Sequence, residues 1–164
     1  MKPLRVLVPL VLMGLCSSAF AQSDAQKAFD KLKTLAGTWE GTFEGGPVQA
    51  SLRVTSMGNA IVHEMKGSGP DDPITMIYLD GDRLMLTHYC DAGNRPRMVG
   101  RLSADGKTLD FDFLDVANFD AKQVGHMQHA TFTFGDADHH WEKWEFAMAD
   151  GKSMGGLLEL KRSK

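Results

Sequence analysis

The side chains that could carry out chemistry are concentrated in the segment 86–98, which reads LTHYCDAGNRPRM. His88 and Cys90 are two residues apart, a spacing that places both side chains on one face of a β-strand. A thiol beside an imidazole is the pair that a cysteine nucleophile and its general base require. A small-molecule pocket also uses a few polar groups in apolar walls. The segment alone leaves both interpretations open.

The apolar residues before this pair indicate which way it points. Leu84 and Leu86 share the face of His88 and Cys90, so we expect that face to line the interior. Nucleophilic catalysis would also need a third orienting group and an oxyanion site, and the sequence shows no motif for either. We therefore expect an inert buried thiol at Cys90. His88 would be either a core histidine whose nitrogen atoms are satisfied by neighbouring groups or a polar anchor for a ligand in the pocket.

Further candidate ligand contacts lie on other predicted strands: His63, Glu64, Tyr78, Arg97 and Trp144. His63 and Glu64 are adjacent and face opposite sides of one strand, and the pattern does not decide which is inward. Arg97 could bind an anionic group bidentately, or it could be the solvated end of a strand. Trp144 alternates with Phe146 and Met148 and predicts an inward apolar face. Trp141 breaks this alternation, which predicts either a bulge near Glu142-Lys143 or an outward Trp141.

The remaining histidines form two short-range pairs. His126 and His129 are three apart, and His139 and His140 are adjacent, so neither pair shares a strand face. A metal site needs convergent ligands. We therefore predict no metal or other cofactor, and we interpret these four residues as solvated hairpin histidines.

The elements that would position these groups begin with a short helix. Ser23 and Gln26 fit an N-terminal capping box, and Phe29, Leu32 and Ala36 follow on one helical face. After Gly37 the apolar period changes from a helical repeat to an alternation of two. We predict strands over about 38–44, 47–56, 60–66, 74–80, 83–90, 96–103, 107–114, 127–134, 139–149 and 152–161.

The connections between these segments predict the topology. Asp80-Gly81, Asp105-Gly106 and Asp150-Gly151 are pairs that favour tight hairpins, and no helix separates the strands, so antiparallel pairing is expected. We predict an all-β, antiparallel up-and-down barrel of about ten strands, wide enough to hold a cavity. A two-sheet sandwich is the alternative. Phe119, in the longest connection, would either tuck against the rim or belong to a lid.

The N-terminus and composition predict an exported, acidic protein. Residues 1–21 have a basic start, a short apolar run and Ala19-Phe20-Ala21, which is typical of a signal peptide cleaved after Ala21. The rest, residues 22–164, is one domain's worth of chain, and Cys90 is its one cysteine. The net charge of −3 becomes more negative without the leader, which disfavours nucleic acid as a partner. No second apolar stretch predicts a transmembrane anchor.

The sequence from Leu35 to Gly41, LAGTWEG, opens the first predicted strand. It resembles the opening of lipocalins and of the DUF1579-type and nitrobindin-like bacterial barrels. The resemblance implies a calycin-type barrel in which Gly37 and Trp39 are structural and Lys161 or Arg162 lies over the Trp39 ring. The second lipocalin motif is missing. Nitrobindin-like barrels imply haem bound through a histidine, but no matching motif places that histidine here.

Taken together, these features predict an exported barrel that binds a small hydrophobic or amphipathic molecule, with no nucleic-acid partner. The candidate ligand contacts are His63, Glu64, Tyr78, His88, Arg97 and Trp144. Alternatives are a haem-binding barrel, an enzyme using His88, Glu64 or Tyr78, and an envelope structural protein without a ligand. The sequence carries no paired catalytic motif, so binding is favoured over catalysis. It leaves the ligand's identity and the oligomeric state open.

Overall fold

The computed structural model of the protein describes residues 22–120 and 125–163. The predicted signal peptide, residues 1–21, lies outside the described residues. The elements are α1 (Asp24–Lys33), β1 (Gly37–Phe43), β2 (Gly46–Thr55), β3 (Ala60–Lys66), β4 (Ile74–Asp80), β5 (Arg83–Tyr89), β6 (Arg95–Leu102), β7 (Thr108–Ala117), β8 (His126–Phe134), β9 (His139–Ala147) and β10 (Ser153–Arg162).

The ten strands form one closed barrel. Each strand pairs antiparallel with the next in sequence, and β10 returns to β1 with Trp39 opposite Arg162 and Thr42 opposite Glu159. Closure pairs the two outer edges of the sheet with each other. The predicted antiparallel barrel is confirmed, and the sandwich alternative is excluded because a single sheet closes on itself.

Helix α1 covers one end of the barrel. The side chain of Ser23 accepts a 3.1 Å hydrogen bond from the backbone N–H of Gln26, as an N-cap does. The buried face of the helix, which includes Phe29 and Leu32, belongs to the same core cluster as the inward residues Trp39 and Leu84. Because the helix packs on inward rather than outward side chains, it closes the end at which β1 begins.

The register of β9 settles the position of its aromatic residues. Strand β9 pairs with β10 without interruption from His139 to Ala147. This excludes the bulge near Glu142-Lys143 and confirms the alternative, an outward Trp141. Strict alternation instead places Trp141 outward and Trp144 inward. The register shifts in the barrel wall occur elsewhere, between Met127 and His129 and between Arg97 and Met98.

Within the described residues, no helix has both the length and the apolar character needed to cross a membrane.

Candidate ligand-binding site

The end of the barrel opposite α1 opens into a cavity of about 790 Å³. The helix end is marked by Arg162, at the end of β10, which donates hydrogen bonds to backbone carbonyls just after α1. The cavity instead contacts Phe43 at the end of β1 and Met154 near the start of β10. Its walls are mostly apolar and include Val48, Met65, Met127, Phe146 and Leu158.

His88 and Trp144 form the floor of the cavity. Their ring centroids are 5.4 Å apart, and both side chains are buried but line the open space. The Nδ1 atom of His88 lies 2.8 Å from Thr75 Oγ1 on the neighbouring strand. Burial, and then the nearby His63, lower the pKa of His88 to about 4. The floor therefore presents a neutral imidazole, which can orient a polar group without adding charge.

A buried carboxylate lies one layer below this floor. Glu142 is fully buried and accepts hydrogen bonds of 3.0 Å from His140 Nε2 and 3.0 Å from Trp144 Nε1. The Nε2 atom of His63 lies 3.2 Å from its Oε2 atom, an ion-pair distance without hydrogen-bond alignment. Although burial raises the pKa of Glu142, His63 and His140 hold it well below its usual range. The barrel thus encloses an ionised carboxylate surrounded by nitrogen atoms.

Aromatic contacts fix this buried cluster in place. The rings of His63 and Trp144 stack at 5.7 Å, and the ring of Trp39 meets His140 edge-on at 4.1 Å. The Nδ1 atoms of both His63 and His140 are buried without a hydrogen-bond partner among the described residues. The cluster connects the floor of the cavity to the helix-covered end, because Trp144 belongs to the floor and Trp39 to that end.

Three of the predicted ligand contacts face the interior. His88 and Trp144 line the cavity, whereas His63 lies deeper, beside Glu142. The alternation that turns His63 inward turns Glu64 outward, which settles the choice that the sequence left open. Glu64 is exposed and accepts a long 3.5 Å hydrogen bond from Ser51.

Tyr78 and Arg97 also lie on the outer surface, so they are not cavity contacts. Tyr78 Oη is 3.4 Å from Thr87 Oγ1, on the outward face of β4 and β5. Arg97 forms a bidentate ion pair with Asp115, with Nε to Oδ1 at 2.7 Å. Both residues occupy outward positions of strands whose inward positions carry Ile77 and Met98.

Sequence reasoning missed Glu142 and His140. We expected His140 to be a solvated hairpin residue, but it is fully buried, and that expectation is wrong. Counting back by two from the inward Trp144 reaches first Glu142 and then His140, so the signal was present. His139 behaves as expected, since it is partly exposed and bonds Asp136 at 2.9 Å.

Cys90 lies just past the end of β5, at the side of the cavity. It is half-buried and carries a free thiol, and burial raises the pKa of that thiol. The thiol is therefore protonated at neutral pH and is a poor nucleophile. Among the described residues, no three His, Cys, Asp or Glu side chains are grouped as metal ligands.

The longest connection, between β7 and β8, begins later than predicted. Strand β7 extends to Ala117, whereas the sequence predicted that it would end near residue 114. Phe119 meets His126 edge-on at 5.2 Å, and His126 stacks on Phe113 at 4.5 Å. His126 is thus a half-buried rim residue packed between two aromatic rings. The contacts of Phe119 agree with the alternative in which it tucks against the rim. The lid alternative also involves residues 121–124, which lie outside the described residues.

The residues that carry the family resemblance at the start of β1 contact one another and Arg162 at the closed end of the barrel. Trp39 is fully buried, and its Nε1 donates a 2.8 Å hydrogen bond to the carbonyl of Leu35. The guanidinium carbon of Arg162 lies 4.1 Å from the centre of the Trp39 ring. Gly37 has a φ of 136°, and a Cβ there would lie 2.6 Å from the Arg162 guanidinium. Any other residue at position 37 would therefore be both strained and crowded.

These observations define a closed ten-stranded antiparallel barrel with an internal cavity at one end. No family model matches the chain, and no curated protein matches it. Among solved structures, the chain is similar to Rv2717c from M. tuberculosis, with a TM-score of 0.62 and 12% sequence identity. The match covers 84% of this chain and 98% of that chain. At this level of identity the similarity supports the fold alone.

Proposed function

We propose that the protein binds a small hydrophobic or amphipathic molecule in the barrel interior. The observation that carries this proposal is the open cavity of about 790 Å³. Its size is within the usual range for small-molecule sites, which combine apolar walls with a few polar groups. His88 supplies such a polar group at the floor, beside the broad apolar surface of Trp144.

Binding is better supported than catalysis because the polar groups are poorly placed for chemistry. Glu142 is ionised and fully buried beneath the floor, where its oxygens are already engaged by nitrogen atoms. The Cys90 thiol is held in its protonated form. A neutral His88 and an inert thiol can orient a ligand more readily than they can activate one.

We also propose that the barrel is lipocalin-like, within the group of DUF1579-type and nitrobindin-like bacterial proteins. The support is local: Gly37-Thr38-Trp39 opens the first strand after a helix, and Arg162 from the last strand lies over the Trp39 ring. This arrangement fits a calycin-type barrel with one closed end and one open end, which suits a ligand held inside.

Export is a further part of the proposal, and it depends on residues 1–21 of the sequence. The basic start, the apolar run and Ala19-Phe20-Ala21 support cleavage after Ala21. Expression of the full chain in a Gram-negative host, followed by mass measurement of the periplasmic fraction, tests it. We expect a mature protein beginning at Gln22. An unprocessed chain confined to the cytoplasm would contradict export.

Haem is a second candidate ligand, favoured by one observation. His88 is a neutral imidazole on the cavity floor, and Thr75 engages its Nδ1 atom, which leaves Nε2 as the nitrogen able to bind iron. Titration with hemin would give a saturable change in the visible spectrum that disappears in His88→Ala and survives in the hairpin control His139→Ala. An equal response of both variants would contradict this assignment.

The binding proposal itself is tested with N-phenyl-1-naphthylamine, an apolar dye that is uncharged at pH 7 and fluoresces when it leaves water. We expect saturable binding by the wild-type protein. Met65→Trp places a bulky indole ring in the cavity, where it takes up space the dye needs, and should weaken binding at least tenfold. Leu157→Trp, on the outward face of β10, should leave binding unchanged.

Two results would overturn the binding proposal. The first is no saturable fluorescence with a folded wild-type protein, which would favour an envelope structural role without a ligand. The second is equal weakening by Met65→Trp and Leu157→Trp, which would place the dye outside the cavity. Circular dichroism of each variant confirms that the barrel has folded.

A further inference from the structure

The charged side chains that the described residues contribute to the cavity lining all carry the same sign. They are Glu44 in the β1–β2 turn, Asp71 in the β3–β4 loop and Asp91 after β5. Among the described residues, neither lysine nor arginine lines the cavity. An adjoining cleft of about 590 Å³ shares Asp71 and Asp91 and adds Asp72. One side of the mouth is therefore strongly acidic above an apolar interior.

Two of the acidic residues at this mouth, Asp71 and Asp91, are neighbours in the structure. Asp71 Oδ1 accepts a 3.1 Å hydrogen bond from the backbone N–H of Asp91, which ties the two loops to each other. Burial, and then the charge of Asp91, raise the pKa of Asp71. The two carboxylates therefore repel each other when both are ionised, and a cation at the mouth would relieve the repulsion.

The floor and walls below the mouth suit a cation better than an anion. His88 is neutral, so it offers an anion no positive charge. Arg95 lies 6.0 Å from the centre of the Tyr89 ring. Tyr89 lines the adjoining cleft, but Arg95 lines neither that cleft nor the cavity. Phe43 and Phe146 line the cavity walls, and aromatic faces attract ammonium groups.

We propose that the ligand is a cationic amphiphile: an apolar body that carries an amine or quaternary ammonium group. The apolar body packs against Trp144 in the interior, and the cationic head lies at the mouth beside Asp71 and Asp91. This inference rests on the proposed binding function and specifies the class of molecule that the cavity selects. It excludes long-chain carboxylates and sulfates as preferred ligands, because they would place a negative charge beside the acidic mouth.

The test compares three molecules with the same twelve-carbon chain: dodecyltrimethylammonium, dodecanol and dodecyl sulfate. Each displaces N-phenyl-1-naphthylamine from the protein, below its micelle concentration and at low ionic strength. We expect the cation to bind about tenfold more tightly than the neutral alcohol, and the anion to bind more weakly than both. Added salt should reduce the difference, because the mouth is open to solvent.

The variant Asp71→Asn/Asp91→Asn removes both charges and keeps the side-chain shapes, and an amide oxygen at position 71 can still accept the backbone N–H of residue 91. In this variant we expect the cation to bind about as tightly as dodecanol, while dodecanol affinity stays unchanged. Asp82→Asn, in the exposed β4–β5 turn, is the matched control and should retain the preference for the cation.

The outcomes separate this inference from the proposed function. Equal displacement by the three molecules in the wild-type protein, or a preference for the anion, would overturn the inference while leaving a binding cavity. Retention of the cation preference in Asp71→Asn/Asp91→Asn would also overturn it. A folded protein that binds neither the dye nor any of the three molecules would overturn the proposed function itself.

Discussion

The carboxylate of Glu142 accepts a 3.0 Å hydrogen bond from the Nε2 atom of His140, two residues earlier on the inner face of β9. Both side chains are completely buried. A buried charge is tolerated only when its neighbours compensate for the lost water, and here Trp144 and His63 complete the surroundings. The pair is therefore a compensated charge buried beneath the cavity floor, and removing one partner would leave the other without compensation.

Removing the Glu142 carboxylate should destabilise the folded protein. Glu142→Ala leaves His140 and Trp144 with buried donors that lack an acceptor, and it opens a void. We expect the free energy of unfolding to fall by about 3–5 kcal/mol, measured by urea denaturation. Glu159→Ala, an exposed glutamate on β10, should change it by less than about 0.5 kcal/mol. Similar losses in the two variants would show that Glu142 has no special role.

Stability should decrease as the pH falls through the range in which only the unfolded chain binds a proton at His88. The pKa of an unperturbed histidine is 6.5, whereas the pKa of His88 in the folded protein is about 4. Between these values the unfolded state binds more protons, so the stability from this group is complete above about pH 6.5 and is lost progressively down to about pH 4. The loss is at most about 3 kcal/mol.

The variant His88→Gln isolates this contribution. Glutamine can still bond Thr75 but does not titrate, so the fall in stability between pH 6.5 and 4 should become shallower. His139→Gln, in the β8–β9 hairpin, should keep most of the wild-type slope. An unchanged slope in His88→Gln would assign the pH dependence to other groups. The low pKa of Glu142 acts in the same direction, but its effect begins only near pH 4.5 and lies mostly at lower pH than that of His88.

Arg162 should stabilise the closed end of the barrel more than its neighbour Lys161. Arg162 lies over the Trp39 ring and donates hydrogen bonds to the carbonyls of Ala36, at 2.9 Å, and Ala137, at 2.8 Å. We expect Arg162→Ala to lower the free energy of unfolding by about 2 kcal/mol. Lys161→Ala, on the exposed face of the same strand, should have little effect. Chemical denaturation of both variants compares them directly, and equal losses would contradict the role assigned to Arg162.

The element pattern was predictable because it depends on local signals. The alternation of apolar residues, the Asp-Gly turns and the Ser23 cap each act within a few residues, and the predicted strands agree closely with the observed ones. The inward position of His88 followed from Leu84 and Leu86 in the same way. Trp144 was placed inward because Phe146 shares its face.

Some parts of the site were left open or missed because they depend on contacts between distant strands or loops, and others because a charged side chain is not expected inside a barrel. His63 and Glu64 alternate equally well in either direction, and only the register of β3 against β2 decides between them. A carboxylate at position 142 is unexpected inside a barrel until His140 and His63 are brought beside it. The acidic mouth joins loops twenty residues apart in sequence, Asp71 to Asp91, which no local pattern reveals.

The most direct test of the central claim is a crystal structure of the protein with N-phenyl-1-naphthylamine bound. We predict density for one dye molecule inside the barrel, in contact with the Trp144 ring and near His88. Density only on the outer surface, or an interior filled by its own side chains with no space for the dye, would contradict the claim that the barrel is a binding protein.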